Sequence, residues 1–404
     1  MAIDHNKSWL DARLNTSGLV KVMATEYWVP KNINFLWSFG VVLATLFTLL
    51  ILSGVFLLMY YKPDTALAFD SVNRTIMQEV GYGWLFRHVH AVAASVVFLV
   101  IYIHMFVAIY YGSYKNGREM IWISGMLLFV TFSAEGFSGY MLPWGQMSYW
   151  AAQVITNLFG AIPVIGPDLV LWIRGNYVVA DSTLTRFFAL HVFVLPMVIM
   201  GIIGMHFYSL RIPHVNNQEG EDIDFEKEAA KFQAGDKKSS KVMPFWPTFL
   251  AEDFFVLGGF LVFFFYLVFF HYSFAMDPIN FIPANNMKTP PHIYPEWYFL
   301  WSYEVLRGFF FSMNMGLVAF AIANGIFFVM PWLDRDPRVI PTHKRPLFRI
   351  WFWLLVAVMI GLTVWGKLPP TGINAWIGFV FSVSFLVLLL VILPVFSKIE
   401  SKRA

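Results

Sequence analysis

The amino-acid sequence predicts an all-α integral membrane protein, a bundle of eight transmembrane helices whose first four form one four-helix bundle. Of its 404 residues, 58% are hydrophobic and 13% are charged, and the mean hydropathy is +0.62. That is more apolar than a water-soluble core requires. The sequence also has long apolar runs and does not show the alternating pattern of a transmembrane barrel. Because lipid offers no partner to an unpaired backbone amide, these runs must be helices.

Eight apolar runs are each long enough to cross the bilayer, since a helical crossing needs about 20 residues. They lie at 36–61, 88–112, 120–142, 187–210, 254–276, 308–333, 350–366 and 371–397. An even number of crossings places both chain ends on one face of the membrane. Most of the 28 Lys and Arg residues lie in the termini and loops of that face. By the positive-inside rule, we expect both termini to be cytoplasmic.

Polar and proline-rich stretches divide the chain into parts. A polar stretch after the fourth span is expected to be a cytoplasmic connector. Two apolar stretches interrupted by Pro and Gly cannot cross as single helices, so we expect them on the external face. The predicted parts are an N-terminal cytoplasmic segment 1–35, a four-span domain 36–212 with an external insertion 143–177, the connector 213–243, and a C-terminal four-span domain 244–404 with an external loop 274–304.

Charge and cysteine content exclude several function classes. The net charge of +3 is small and arises from the loop asymmetry, so it gives nucleic-acid binding no support. The chain contains no cysteine. It therefore cannot ligate an iron–sulfur cluster, attach a haem through a C-x-x-C-H motif or form a disulfide. Any such redox centre must lie on a partner.

Four histidines lie inside predicted spans, where ionisable residues are costly and usually functional. His90 and His104 are 14 residues apart on the second span, and His191 and His206 are 15 apart on the fourth. At about 100° and about 1.5 Å per residue, each spacing returns to nearly the same helix face about 21 Å or more along the axis. The two spans run in the same direction. We therefore expect an outer pair, His90 and His191, and an inner pair, His104 and His206.

Two imidazoles on facing helices suit axial ligation of a haem iron better than a tetrahedral zinc site. The two levels also fit two macrocycles within electron-tunnelling reach. The alternative is that these histidines are structural and hydrogen-bond between helices. Four histidines at matched depths favour the haem hypothesis, which predicts two bis-histidine sites.

Glycines and one arginine support this hypothesis. Gly40 and Gly54 on the first span, and Gly125 and Gly139 on the third, are 14 residues apart, which is also the histidine spacing of the second span. A flat porphyrin needs helices without side chains where it lies against the backbone, although membrane glycines also serve helix packing. Arg87 lies one turn outward from the first histidine, where it suits a haem propionate. The alternative is a snorkelling interfacial arginine.

Five sequence motifs resemble those of cytochrome b of ubiquinol:cytochrome c reductase, the cytochrome bc complex. They are PKNINFLWSFG (30–40), GWLFRHVHA (83–91), GYMLPWGQMSYW (139–150), LTRFFALH (184–191) and PPHIYPEWYFLWSY (290–303). The resemblance covers nearly the whole chain, and PEWY and LPWGQMS are highly specific to the family. It implies that the four histidines hold two haem b groups and that Arg186, within the fourth motif, is a further cofactor-binding residue.

The resemblance also implies a function, partners and a location. The chain would be the cytochrome b subunit of a proton-translocating quinol:cytochrome c oxidoreductase in a bacterial inner membrane. Its substrates would be ubiquinol and ubiquinone, and its partners a Rieske iron–sulfur subunit and a cytochrome c1 subunit in a homodimeric complex. Quinol oxidised at an outer site would give one electron to the iron–sulfur partner and one to the outer haem. The second electron would then reach quinone at an inner site through the inner haem.

At the outer site, the resemblance assigns Glu296 of PEWY as acceptor of a quinol proton, with Tyr303 nearby. Tyr140, Trp150, Tyr298 and Phe299 would line the pocket. A buried carboxyl suits this role because burial raises its pKa towards the working pH. The simpler interpretation of Glu296 is a first-turn acid favoured by the dipole of a helix that Pro295 opens.

At the inner site, the resemblance places Asp253 as the family's quinone-site acid, and Asn216 matches a polar position after the fourth span. As an alternative, Asp253 is an acid at an interfacial helix start. Arg211 stands where mitochondrial relatives carry a histidine, and Val107 stands where the family usually has an arginine. Arg211 is therefore expected to serve the inner haem propionate as well as the inner site.

Glu135 is an acid inside the third span that the family motifs do not explain, and its side is expected to face the outer haem. We predict a proton or quinone role, against the alternative of a locally paired structural acid. Two other functions remain open for the whole chain. One is a two-haem membrane anchor of another quinone-linked oxidoreductase, which would not need PEWY. The other is a secondary transporter with structural histidines.

Overall fold

A computed structural model describes residues 8–9, 11–21 and 25–403, so the predicted segment 1–35 lies partly outside the described residues. Within them, the model confirms the all-α class, with eight helical segments long and apolar enough to cross a membrane. The spans are Phe35–Leu58, Gly83–Tyr110, Glu119–Met141, Asp181–Arg211, Phe245–Phe270, Met313–Leu333, Pro346–Lys367 and Ile373–Arg403. The chain is a multi-pass membrane protein.

The spans and their connections are built from the following helices and strands. In chain order they are α1 (Asp11–Leu14), α2 (Thr16–Val20), β1 (Trp28–Pro30), α3 (Phe39–Leu58), α4 (Ala68–Asp70), α5 (Gly83–Tyr110), α6 (Glu119–Met141), α7 (Gln146–Gly160), α8 (Gly166–Arg174), α9 (Asp181–Ala189), α10 (Leu195–Arg211), α11 (Phe225–Gln233), β2 (Val242–Pro244), α12 (Leu250–Phe270), α13 (Leu300–Gly308), α14 (Met313–Leu333), α15 (Pro346–Lys367), α16 (Ile373–Val387) and α17 (Leu393–Arg403). Wider helical turns join α9 to α10 and α16 to α17, so each pair forms one span.

The first four spans form two packed pairs that carry the histidines. Helix α3 packs along α5, and α6 packs along α10. Helices α13, α14, α15 and α16 pack together in the second half, and α12 packs against α5 and α3. One continuous hydrophobic core runs through both halves, so the two membrane domains share their packing.

One predicted span differs from the structure. The apolar run 308–333 was expected to be a single helix, but the chain breaks at its start into the short α13 and the spanning α14. Ser312 begins α14, and its hydroxyl accepts a hydrogen bond from the Met315 amide at 3.4 Å. The backbone of Gly308 lies against Ser382 of α16, which holds α13 in place beside the external loop. Hydropathy does not detect where α14 begins, because the residues between Gly308 and Met313 include Phe309, Phe310 and Phe311.

The predicted connector contains regular structure that the sequence patterns did not indicate. Its last residues form β2, which pairs antiparallel with β1 in the register Trp28 to Pro244 and Pro30 to Val242. Three-residue strands are too short to show an alternating pattern. The small sheet attaches the N-terminal segment to the end of the connector, on the face of the bundle that carries both termini. We call this face the terminal face.

A buried ion network on the terminal face joins the two halves of the chain. Asp334 receives hydrogen bonds from Lys115 at 2.6 Å and from Arg345 at 2.7 and 2.8 Å. Glu400, near the end of α17, accepts a further bond from Arg345 at 3.0 Å. Burial alone would raise the pKa of Asp334, but its two cationic partners outweigh burial and hold that pKa at about 2. The carboxylate is therefore charged at neutral pH.

On the opposite face, the predicted external insertion and external loop pack against each other. The Gln146 amide donates to the Ile282 carbonyl at 2.9 Å, and the Gln146 side chain donates to the Lys288 carbonyl at 2.9 Å. Helices α7 and α8 lie together and are joined by the buried Arg174, which donates to Thr156 at 2.8 Å. These segments form a roof over one end of the bundle.

Candidate functional site

The four span histidines meet in two pairs across the first four-helix bundle. The ring centroids of His90 and His191 are 6.1 Å apart, with the rings inclined by 81°. Those of His104 and His206 are 6.5 Å apart, inclined by 66°. The pairing is the one predicted from the helical spacing, with the outer pair on the roofed side and the inner pair towards the terminal face.

Both separations suit one metal atom between two facing ring nitrogens. A bond from a metal to an imidazole nitrogen is about 2 Å long, and a ring nitrogen lies about 1 Å from its centroid, which together require about 6 Å between centroids. Direct hydrogen bonding between the two imidazoles would bring them closer, at about 3 Å between nitrogens. The spacing therefore favours ligation over the structural alternative.

Serine hydroxyls fix the orientation of three of these imidazoles. Ser53 donates to the Leu49 carbonyl at 2.6 Å, so its oxygen is free to accept from Nδ1 of His90, 3.0 Å away. Ser124 accepts in the same way from Nδ1 of His206 at 2.9 Å, and Ser138 lies 3.4 Å from Nδ1 of His191. With Nδ1 protonated, the Nε2 lone pair is left for a metal.

The sequence analysis missed these serines, although a signal was present. Each one directly precedes a predicted cofactor-binding glycine, at Gly54, Gly125 and Gly139. A Cβ atom at Gly54 would lie 3.3 Å from the His90 ring, one at Gly125 would lie 3.4 Å from the His206 ring, and one at Gly139 would overlap the His191 ring. In each Ser-Gly pair, the glycine therefore leaves space for the imidazole ring and the serine hydroxyl lies beside its Nδ1. Gly40 differs, because a Cβ there meets none of the described atoms within 4 Å.

One large cavity joins the outer histidine pair to the PEWY segment. It encloses about 1720 Å³ of unfilled space, counting its open mouth. Its lining includes His90, His191, Arg87, Tyr140, Glu296 and Tyr298. The candidate haem site and the candidate quinol site are therefore neighbours in one space.

Glu296 points into this cavity and does not cap a helix. It precedes a tight turn, Trp297–Phe299, that leads into α13, and its side chain makes no capping hydrogen bond. Burial raises the pKa of Glu296 to about 7, although a hydrogen bond from the Tyr140 hydroxyl opposes this shift. The nearby Asp277 raises that pKa further. A carboxyl of this kind is half ionised near neutral pH and suits proton transfer.

Contacts with α5 hold the PEWY segment in place. The ring of Tyr298 stacks on Phe98, with centroids 3.9 Å apart and planes within 5°. The Trp297 indole donates to Ser95 at 2.7 Å, and Tyr102 donates to the Tyr298 carbonyl. Since His90 is on the same helix, α5 positions both the histidine and the glutamate.

Several predicted outer-site residues do not line the cavity. The Trp150 indole donates to the Asn285 carbonyl at 3.3 Å, and the Tyr303 hydroxyl donates to the Ile293 carbonyl at 3.3 Å. Phe299 packs on the edge of the Phe98 and Tyr298 stack. Arg186 is exposed and donates to the Trp172 carbonyl. These residues support the walls and the roof, and their ligand contacts stay predictions.

The predicted inner-site residues converge on the start of the first span. The Trp37 indole donates to the Asn216 carbonyl at 3.0 Å, and the next residue, Ser38, hydrogen-bonds Asp253. The Asp253 side chain is buried, and its Oδ1 has no hydrogen-bond partner among the described residues. A second cavity is lined by Ser38, by Glu252, which precedes Asp253, and by Asn34, Phe35, Phe249 and Phe255. Asp253 lies in the first turn of α12, where the N-cap position makes no side-chain capping hydrogen bond.

Arg211 lies elsewhere than expected. Its guanidinium carbon is 3.8 Å from the centre of the Tyr27 ring and 5.4 Å from that of Phe245. These rings belong to a separate hydrophobic cluster beside the small sheet. The cation is attracted to the aromatic faces, so Arg211 packs on the N-terminal segment.

Two family models match most of the chain. The model described as Cytochrome b/b6/petB matches residues 24–213, and the model described as Cytochrome b(C-terminal)/b6/petD matches residues 283–386. The chain belongs to the cytochrome b family. The resemblance found in the motifs is thereby confirmed, and the four paired histidines and PEWY lie within the matched ranges.

Individual relatives extend this match over nearly the whole chain. Cytochrome b of Allochromatium vinosum is 40% identical, over 98% of this chain and 96% of the relative. Cytochrome b of Cereibacter sphaeroides is 39% identical, over 98% of this chain and 91% of the relative. The Cytochrome b/c1 of Bradyrhizobium diazoefficiens is 40% identical, but this chain spans only 55% of its length.

A solved structure shows the same fold. It is described as Hyperthermophilic respiratory Complex III, is 38% identical in sequence and superposes with a TM-score of 0.88, over 98% of this chain and 99% of that one. The bundle described above is therefore the fold of this family.

Proposed function

We propose that this chain is the cytochrome b subunit of a proton-translocating quinol:cytochrome c oxidoreductase. The observation that carries the proposal is the arrangement of two histidine pairs at metal-bridging separations, with a carboxyl in the same cavity as the outer pair. A membrane anchor with two haems would need the histidines alone. The roofed cavity with Glu296 favours a subunit that also oxidises quinol.

The histidine pairs are proposed to hold two haem b groups, one at each level. Nε2 of each imidazole would supply an axial ligand, since serine or carbonyl oxygens occupy Nδ1 in three of the four rings. Arg87 lines the outer cavity one turn from His90 and offers a cation to a propionate. When bound, the haems would carry single electrons between the two sides of the membrane.

The outer site is proposed to oxidise ubiquinol. Quinol loses two protons as it loses two electrons, so a base must lie within reach. Burial raises the pKa of Glu296 to about 7, and its carboxyl lies next to the Tyr140 hydroxyl. It would accept a proton and release it towards the roofed face. The stacked Tyr298 and Phe98 rings would offer a flat apolar wall to the quinol ring.

The inner site is proposed to reduce ubiquinone near Asp253 and Asn216. Asp253 keeps one carboxyl oxygen without a partner among the described residues, and the preceding residue, Glu252, lines a cavity. Asp253 would deliver a proton to a reduced quinone. Arg211 would act there indirectly, by anchoring Tyr27 and the small sheet.

The membrane arrangement follows from the spans and the basic loops. We propose that the terminal face is cytoplasmic in a bacterial inner membrane, because most Lys and Arg residues lie on it. Without cysteine, the chain needs a Rieske iron–sulfur subunit and a cytochrome c1 subunit as electron acceptors, in a homodimeric complex.

Haem quantitation tests the proposal. The pyridine haemochrome of the purified complex, measured after the contribution of any other haem subunit is subtracted, is expected to give two haem b groups per chain. His90→Ala and His206→Ala are each expected to lose one group. His88→Ala is the matched control, because the His88 ring stacks on Tyr272 at 3.7 Å and lies outside the cavity lining. Fewer than two groups in the unchanged chain, or no loss in His90→Ala, would contradict the proposal.

Gly139→Ala is expected to lower the content of the outer haem to well below one group per chain. The new methyl would overlap the His191 ring, and its distances to Nδ1 and Nε2 would be 2.9 and 3.0 Å, so the ring must move off its axis. Gly201→Ala is the control, since a Cβ there meets none of the described atoms within 4 Å. Equal haem contents in the two variants would show that this close approach is unimportant.

A further inference from the structure

Glu135 carries a carboxyl group in the middle of α6, next to a proposed haem ligand. Its Oε1 lies 3.1 Å from Nδ1 of His191, and its own backbone carbonyl oxygen is also 3.1 Å from that nitrogen. Its Oε2 is buried and has no hydrogen-bond partner among the described residues. Within the part of the chain that the structure describes, His191 is the one side chain within ion-pair distance of Glu135.

The histidines differ in the group that lies beside their Nδ1 atom. Nδ1 of His90 and of His206 each meets a neutral serine hydroxyl, at 3.0 and 2.9 Å. At His191 the corresponding Ser138 hydroxyl is more distant, at 3.4 Å, and the carboxyl lies closer. The proposed ligands therefore differ in their hydrogen-bond acceptors, since His191 alone of these three has a carboxyl oxygen beside Nδ1.

A carboxylate acceptor changes the chemistry of the imidazole. A hydrogen bond to an ionised acceptor is about twice as strong as one between neutral groups. It draws the Nδ1 proton away from the ring, which makes Nε2 more electron-rich and more basic. A more basic axial ligand stabilises ferric iron more than ferrous iron, and hydrogen bonding of this kind is one of the protein's means of setting a haem potential.

We propose that Glu135 is a positioning residue that acts through His191 to lower the midpoint potential of the outer haem. This inference rests on the proposed function, because it requires His191 to be an axial ligand. The proton or quinone role expected from the sequence stays a separate prediction, since Glu135 also lines the outer cavity. Oε1 of Glu135 contacts Nδ1 of the His191 imidazole. Glu135 lies one helical turn before Gly139, whose backbone lies against the same ring.

Redox titration of the α-band in the purified complex tests the proposal. Glu135→Gln keeps the shape of the side chain and replaces its carboxyl by an amide that cannot ionise. The signal of the outer haem is the one that is missing in His191→Ala. Its midpoint potential is expected to rise by about 59 mV or more, which is a tenfold change in the reduction equilibrium for one electron. The inner haem is expected to stay unchanged.

Two serine variants provide matched controls. Ser53→Ala removes a neutral hydrogen bond from the opposite ligand of the same haem, so a smaller shift of the outer signal is expected. Ser124→Ala is expected to shift the inner signal alone. An outer signal that stays in place or moves downward in Glu135→Gln overturns the proposal, as do equal shifts of both signals. Absence of two haem signals in the unchanged complex would refute the proposed function instead.

A second variant decides the case in which Glu135→Gln fails to retain the outer haem. Glu135→Asp keeps the carboxyl on a shorter side chain, and it is expected to retain that haem with an intermediate potential. An unchanged or lower potential in Glu135→Asp overturns the proposal. Loss of the haem in both variants also overturns it and makes Glu135 a structural support of the ligand.

Discussion

A Glu296→Gln variant is expected to oxidise quinol about 10²- to 10⁴-fold more slowly than the unchanged complex, which is the usual contribution of a positioned general base. The amide keeps the size of the side chain but cannot take up a proton. Both haems are expected to remain, because Glu296 contacts Tyr140 and none of the four histidines. The measurement is steady-state cytochrome c reduction by a ubiquinol analogue, together with haem content.

The pH profile gives a second readout of the same prediction. Burial raises the pKa of Glu296 to about 7, so below that pH the carboxyl is increasingly protonated and cannot accept a proton. The rate should therefore fall about tenfold per pH unit on the acid side, and this limb should be missing in Glu296→Gln. Glu79→Gln, which alters an exposed acid paired with Arg74, is the control. Oxidation at an unchanged rate in Glu296→Gln would disprove the acceptor role.

Asp334→Asn is expected to destabilise the protein by about 3–5 kcal/mol, because it leaves two buried cations without their shared carboxylate. Lys115 and Arg345 both bond to Asp334, and all three side chains are almost completely buried. The effect should appear as a lower unfolding temperature of the purified complex. Quinol oxidation at low temperature should change little, since the network lies far from the roofed cavity.

The acid sensitivity of this network follows from its pKa. The folded-state pKa of Asp334 is about 2, below its ordinary value of 3.8, so its contribution to stability is complete above about pH 4 and is lost as the pH falls through about 2. The control is Glu221→Gln, which breaks an exposed pair with Lys241 and should cost about 0–1 kcal/mol. Equal unfolding temperatures for the two variants would show that the buried network contributes no more than a surface pair.

Sequence reasoning predicted the pairing of the four histidines more securely than the surroundings of the proposed quinone sites, and the reason is geometric. His90 and His104 share one helix, so their relative placement follows from the helical repeat alone, and the same holds for His191 and His206. The ring centroids of the outer pair are 6.1 Å apart and those of the inner pair 6.5 Å apart, as expected for histidines on facing helices. The regular geometry of each helix was therefore sufficient to predict both histidine pairs of the bundle.

The proposed quinone sites bring together residues from distant parts of the chain. Glu296 meets Tyr140 only because the external loop folds onto α5 and α7, through contacts such as Trp297 with Ser95. Arg211 instead lies over the ring of Tyr27, the residue before β1, and β1 pairs with the end of the connector. Neither placement is encoded in a local pattern.

The sequence by itself determined the membrane location, the eight spans, the two levels of histidines and the family. Each of these depends on composition, on the length of an apolar run or on the repeat of a single helix, and lipid leaves the backbone no alternative to the helix. Only the tertiary structure decided which oxygens reach the imidazoles, which predicted residues line the cavity and where α13 breaks from α14. Those outcomes depend on the packing of side chains from separate helices, where a displacement of about 1 Å makes or breaks a hydrogen bond.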